Sequence, residues 1–329
     1  EDVFMFLRQG VSLSVVVLAG ALISACASSP TKTGLSEFGR YQCGQLDVTV
    51  TSSGDDELVG LEYLNRRILL KPAESASGAL FVAPGDPDTR FWSKGERATL
   101  SLRGETLPEC LEPGAIESSF RGIGTEPFWS VVIENGQMRL TRPYDQQVTE
   151  DIRLNEILAN RHGRAYEATL GDERTEVRIA HQLCEDQMAG AQYPAQVRLT
   201  LGDETFEGCG GDRQRLFRGA EWAVEDLAGA GIIDRSRMTL RFLADNRVAG
   251  RASCNRYTGS YNLTGEGLSF SLQATTMMAC APALMNQERR FLELLEEVTD
   301  GRIGRHGELL LQTPAGNTIK AFQSEVESP

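Results

Sequence analysis

Seven cysteines, three histidines and a surplus of carboxylates are the residues of this chain that could do chemistry, and their spacing excludes more than it offers. His162, His181 and His306 have no ligand spacing, and no Cys-x-x-Cys occurs, so neither a zinc ribbon nor a redox dithiol is suggested. No HExxH, GxSxG or phosphate-binding loop is present, nor a GxGxxG opening a helix. The carboxylates are plentiful, but no pair stands out as a general acid and base. Asp55-Asp56-Glu57 reads as a solvated turn. The expectation is a set of binding modules with no catalytic residues, no metal and no cofactor, not an enzyme. A hydrolase of envelope glycan is the reading that turnover by the protein alone would revive.

One cysteine has a context of its own. Met5 to Cys26 reads MFLRQGVSLSVVVLAGALISAC. Arg8 supplies a short positive start. The apolar run from Val11 to Ile23 falls short of the roughly 20 residues that cross a bilayer and fits the hydrophobic region of a signal peptide. Ile23-Ser24-Ala25-Cys26 resembles a lipobox, which implies acylation of the Cys26 thiol and cleavage just before it. Residues 1–25 are then a signal peptide, and residues 26–39, rich in Ser, Thr, Gly and Pro, a lipidated tether. Glu1 and Asp2 do not suit a positive leader, so Met5 is the expected start. The resemblance implies a lipoprotein of a Gram-negative envelope. Ala27 stands where an Asp would signal inner-membrane retention, so the expected place is the outer membrane, facing the periplasm.

Six cysteines remain: Cys43, Cys110, Cys184, Cys209, Cys254 and Cys280. An oxidising compartment favours three disulfides among about 15 connectivities. The sequential pairing is preferred because it puts one bridge inside each segment defined below. The net charge of −13 argues against nucleic acid and against charge-driven docking on anionic lipid. It suits a cationic partner, whose encounter an acidic surface accelerates.

The elements that must carry these residues are mostly strands. Leu46–Val50, Leu58–Leu64, Arg67–Leu70, Ala79–Val82 and Ala98–Leu102 are short alternating runs separated by turn signals. Strands are again expected at Trp129–Ile133, Met138–Leu140, Glu176–Ile179 and Gln196–Leu201. In the last third they are expected at Met238–Leu243, Arg247–Ala252, Gly259–Leu263, Leu268–Leu272, Leu309–Gln312 and Ile319–Phe322. One helix is expected over Leu284–Val298, where Phe291, Leu294, Leu295 and Val298 recur at helical spacing. The fold class is therefore mainly β, in three domains at 40–112, 117–215 and 216–325.

Two of these segments resemble known families. Tyr41-Gln-Cys43, Ser75-Ala-Ser-Gly-Ala79, Phe91-Trp-Ser-Lys-Gly95, Ala98-Thr-Leu100 and Cys110 follow one another as in the membrane-bound inhibitors of C-type lysozyme, the MliC family. That resemblance implies a small antiparallel β-barrel with a C-type lysozyme as partner. It also implies that Ser77 and Lys94 enter the catalytic cleft. Leu80-Phe81 stand where the family has Arg-Tyr. The interval between the motifs is longer than usual and holds the turn Pro84-Gly85-Asp86-Pro87, expected to displace one motif from the other. Phe91 and Trp92 are both expected in the core.

Trp222, Val248-Ala-Gly250, Ser253-Cys-Asn-Arg-Tyr-Thr-Gly259 and Thr275-Thr-Met-Met-Ala-Cys280 resemble the META domain, also called HslJ-like. It implies an α+β domain with one main helix and no settled activity. Asn255 is expected to hold its loop by hydrogen bonds, with a ligand site at Asn255 and Arg256 as the alternative. The middle segment, with Arg121-Gly-Ile-Gly-Thr-Glu-Pro-Phe-Trp129, looks like an uncharacterised envelope domain. There Glu126, Phe128 and Trp129 are expected at a strand start, with buried aromatics, and a binding edge is the alternative. The functional expectation is a lipid-anchored inhibitor of C-type lysozyme. Its alternative is a non-enzymatic envelope-stress protein acting through the META domain.

Overall fold

A computed structural model describes residues 36–52 and 58–324. Cys26, the leader segment and the Asp55–Glu57 turn lie outside them. The fold is mainly β, with three large antiparallel sheets following one another along the chain, a two-stranded ribbon of Cys184–Glu185 and Gln192–Tyr193, and one α-helix, Pro282–Glu297. Among the described residues no helix is long and apolar enough to cross a membrane.

The first sheet runs from Ser36 to Leu111 and closes on itself. Strand Asp86–Lys94 pairs with Arg97–Leu102, while Cys110–Leu111 pairs with both Arg97–Leu102 and Ser36–Cys43. Its opening strand begins at Ser36, so the last residues of the stretch read as tether pair with Leu46–Ser52. Alternation puts Val48 and Val50 inside with Leu61, Leu70, Phe91 and Leu100. Tyr41 packs edge-on to Phe91 at 5.3 Å.

The second sheet, Ser119 to Gly210, has nine strands in one antiparallel array. Its two edge strands, Val148–Arg153 and Asn155–Asn160, are joined through Leu154 alone. Trp129 is fully buried in its core, while Phe128, one residue earlier on the same strand, is exposed. Gly124 of the Arg121–Trp129 motif makes the room. A Cβ on Gly124 would lie 2.1 Å from the indole nitrogen of Trp129. Overpacking of this kind costs about 1–3 kcal/mol. Gly124→Ala is therefore expected to lower the urea midpoint of the intact chain, and an unchanged midpoint would show that the indole can move aside.

The third sheet, Glu221 to Gln323, carries the helix on one face through Phe291, Leu294 and Leu295. Trp222 is buried and donates its indole N–H to the Phe217 carbonyl at 2.8 Å. Asn255 turns its side chain inward. Its amide donates to Glu288 Oε1 at 2.9 Å, and its carbonyl accepts from Thr276 Oγ1 and the Met278 N–H. Glu288 also accepts the N–H groups of Cys254 and Asn255. That network occupies Asn255 completely, so the hydrogen-bonding role holds and the ligand alternative at this side chain does not.

Disulfides join Cys43 to Cys110, Cys184 to Cys209 and Cys254 to Cys280, one within each sheet region. A short 3-10 turn, Arg213–Leu216, lies where the three meet. Arg215 is buried and donates to the carbonyls of Gln42, at 2.9 Å, and Glu109, with Glu117 at 3.7 Å. Arg213 donates to the carbonyls of Gln192 and Thr264. Gln192 in turn exchanges two hydrogen bonds with the backbone of Ile303. Glu105 of the first sheet accepts from Ala244 and Arg247 of the third. Buried polar groups of this kind fix orientation because leaving one unpaired is costly.

Candidate functional site

The two inhibitor-like motifs meet at one end of the first barrel. Strands Ala79–Ala83 and Asp86–Lys94 form a hairpin in which Ala79 faces Ser93 and Phe81 faces Phe91. The Pro84–Pro87 insertion lies at the tip of that hairpin, where Ala83 faces Asp86 after a register shift. Ser77 and Lys94 lie at its other end. The expected displacement does not occur, because the extra residues are absorbed at the far turn.

Gly78 holds the contact. Its φ is +69°, and a Cβ there would lie 2.3 Å from the Ser93 carbonyl oxygen and 3.3 Å from the Cβ of Lys94. Only glycine lets the Ser75–Gly78 loop approach the Lys94 strand this closely. Trp92 then ties the loop down, donating its indole N–H to the Ser77 carbonyl at 2.7 Å. The Ser75 hydroxyl donates to the same carbonyl at 2.6 Å. Phe91 is fully buried, while Trp92 is 40% exposed and so belongs to the core only in part. Adjacent strand residues point to opposite faces, so one of the two had to face outward.

What remains at the surface is a free hydroxyl and a free ammonium. Ser77 and Lys94 are exposed, and neither side chain has a polar partner among the described residues. The carboxylate two residues after Lys94 is engaged elsewhere: Glu96 accepts from Arg164 of the middle barrel at 2.7 Å. Arg164 is itself 4% exposed and also pairs with Glu156 at 3.5 Å. Lys94 therefore keeps its charge available to a partner. Lysine is rare in the chain, at four of 33 basic residues, a signal that sequence reading passed over.

Of the other residues singled out, His162 and His181 come together at the backbone, His181 N–H to His162 O at 2.9 Å. No group of three or more His, Cys, Asp or Glu among the described residues could hold a metal ion.

Residues 41–108 match the family described as "Membrane-bound lysozyme-inhibitor of c-type lysozyme". A protein of Escherichia coli (strain K12), named membrane-bound lysozyme inhibitor of C-type lysozyme, is 30% identical over 91 residues. Those residues are 27% of this chain and 81% of the relative. The chain belongs to this inhibitor family. The inhibitor barrel is the first of three sheet regions, and residues 215–326 match the META domain. A solved NMR structure of a protein from Burkholderia xenovorans is 25% identical over 33% of this chain and 85% of its own, with a TM-score of 0.29. In the inhibitor barrel the family motifs are the two loops that Gly78 and Trp92 lock together.

Proposed function

We propose that the protein is a lipid-anchored envelope inhibitor of C-type lysozyme that plugs the enzyme's cleft with Lys94 and Ser77. The observation that carries this reading is the exposed, unpartnered pair of side chains on two loops held in contact at Gly78. Lysozymes cleave glycan with two carboxyl groups facing across a groove. An ammonium placed between them offers three donors and neutralises the ionised one, while a hydroxyl can hydrogen-bond the protonated one. The loop is narrow, with small residues on either side of Ser77, so it can enter a groove. Its backbone is already fixed, so little ordering entropy is lost on binding. The activity is stoichiometric inhibition without turnover, and its assay is glycan lysis by a C-type lysozyme titrated with the intact mature chain.

The two side chains contribute unequally. Ser77→Ala removes a neutral hydroxyl and leaves the Ser77 carbonyl with its Trp92 bond. The inhibition constant is expected to rise by about 0.5–1.5 kcal/mol. A loss larger than that of the Lys94 variant would reverse the assignment of roles.

The anchor is Cys26, outside the described residues. Diacyl or triacyl Cys26 is the expected first residue of the mature chain, in outer-membrane fractions. Intact mass spectrometry of protein from envelopes checks this, and a mature chain with an unmodified Cys26 would remove the anchor.

A further inference from the structure

The inhibitory turn does not stand alone at the end of its barrel. Lys94, Gly95, Glu96 and Arg97 line a cavity of about 570 Å3 together with Glu134, Asn135, Glu156, Arg164 and Tyr166 of the middle barrel. The two walls are fastened to each other. Arg164 of one wall donates to Glu96 of the other at 2.7 Å. The turn that presents Lys94 thus has a neighbour in a fixed place.

Charge distinguishes that neighbour. The middle domain, residues 117–215, contains 17 acidic residues against eleven arginines and no lysine, a net −6 of the chain's −13. Residues 216–325 contain 13 acidic against 12 basic residues. The largest share of the acidic surplus lies in the domain beside Lys94. A stable interface covers about 800 Å2 on each partner, a patch of roughly 16 Å radius. A globular enzyme centred on Lys94 must then cover the middle-barrel wall of the same cavity.

We infer that the acidic middle barrel forms the second half of the docking surface for C-type lysozyme, flanking Lys94 and steering the cationic enzyme onto it. The inference rests on the inhibitor reading above and adds a division of labour. The middle barrel raises the rate of encounter through its field, and Lys94 sets the lifetime of the complex.

The test uses the intact mature chain, immobilised lysozyme and two salt concentrations, with melting curves for every variant. Glu134 is exposed on a hairpin turn of the cavity wall, and Glu293 is exposed on the helix of the third domain. Glu134→Lys is expected to slow association about three- to ten-fold at low salt and hardly at all at high salt. Glu293→Lys should leave association as in the parent. Lys94→Ala should speed dissociation at either salt. If Glu134→Lys associates like the parent at both salts while Lys94→Ala loses inhibition, the docking surface stops at the first barrel and only this inference fails. If Glu134→Lys slows association while Lys94→Ala still inhibits fully, the docking surface stands and the plug falls. A parent chain that does not bind lysozyme overturns both.

Discussion

Lys94→Ala is expected to weaken inhibition by about 2–5 kcal/mol, roughly 30-fold to several-thousand-fold, with the fold unchanged. The size follows from what the enzyme's carboxylates would lose. With the cleft closed by the loop they would be desolvated, and the ammonium would be the charged partner of the ionised one. Removing it leaves buried negative charge without a partner, which costs more than the contact itself was worth. Nothing inside the protein depends on that side chain. Lys94 is exposed and has no polar partner among the described residues, so the melting temperature should barely move. Lys94→Arg makes a sharper comparison. It keeps the charge but replaces a compact ammonium by a wide planar fork, so it should recover only part of the loss. An inhibition constant for Lys94→Ala equal to that of the parent, with an unchanged melting curve, would sink the plug.

Arg215→Met should cost the folded chain about 3–5 kcal/mol, the range for breaking one partner out of a buried charged cluster. Burial pushes the Arg215 pKa down, and Glu117 beside it pushes it back up. The substitution fills much of the volume but removes the donors to Gln42 and Glu109 and takes the cation from the Glu117 carboxylate, which keeps the Asp212 N–H. All three of those partners lie outside the turn that carries Arg215, so the damage falls on the joint and not on any one core. Urea denaturation should show a lower midpoint. It should also show a broader or split transition as the sheets lose cooperativity. A change below about 1 kcal/mol with one sharp transition would mean that apolar packing alone holds the three sheets.

Much of this architecture is legible in the sequence where burial is one-sided. Arg247–Ala252 and Leu309–Gln312 were expected as strands over the very residues that form them, and the helix differs by one or two residues at each end. Those segments alternate, or repeat at helical spacing, because one face meets a core. The edge strand Asn155–Asn160 has no such signature: all six of its residues are exposed, so nothing in their hydrophobicity marks them. Cys110–Leu111 is too short to show a period. The joint was invisible for a different reason. Arg213, Arg215 and Arg218 in a polar stretch look like a solvated face, and only the tertiary arrangement reveals the carbonyls they reach. At the candidate site the motifs named the residues, but not their proximity. That depended on which end of a hairpin would absorb an insertion.

The scarcity of lysine has a practical consequence for chemical labelling. Besides Lys32, outside the described residues, the side-chain amines are those of Lys71, Lys94 and Lys320. Lys320 is half-buried and lies over the Phe322 ring at 5.1 Å, and Lys71 is exposed on a strand of the first barrel. An amine-reactive ester therefore meets few targets on this molecule, and one of them is the tip of the turn proposed to inhibit. Acylation turns a cation into a neutral amide, so mild treatment would silence that turn chemically without altering a codon. With lysozyme present, the same reagent becomes a footprint: a peptide carrying Lys94 that escapes the label while the one carrying Lys71 does not would outline the occupied face in a single mass spectrum.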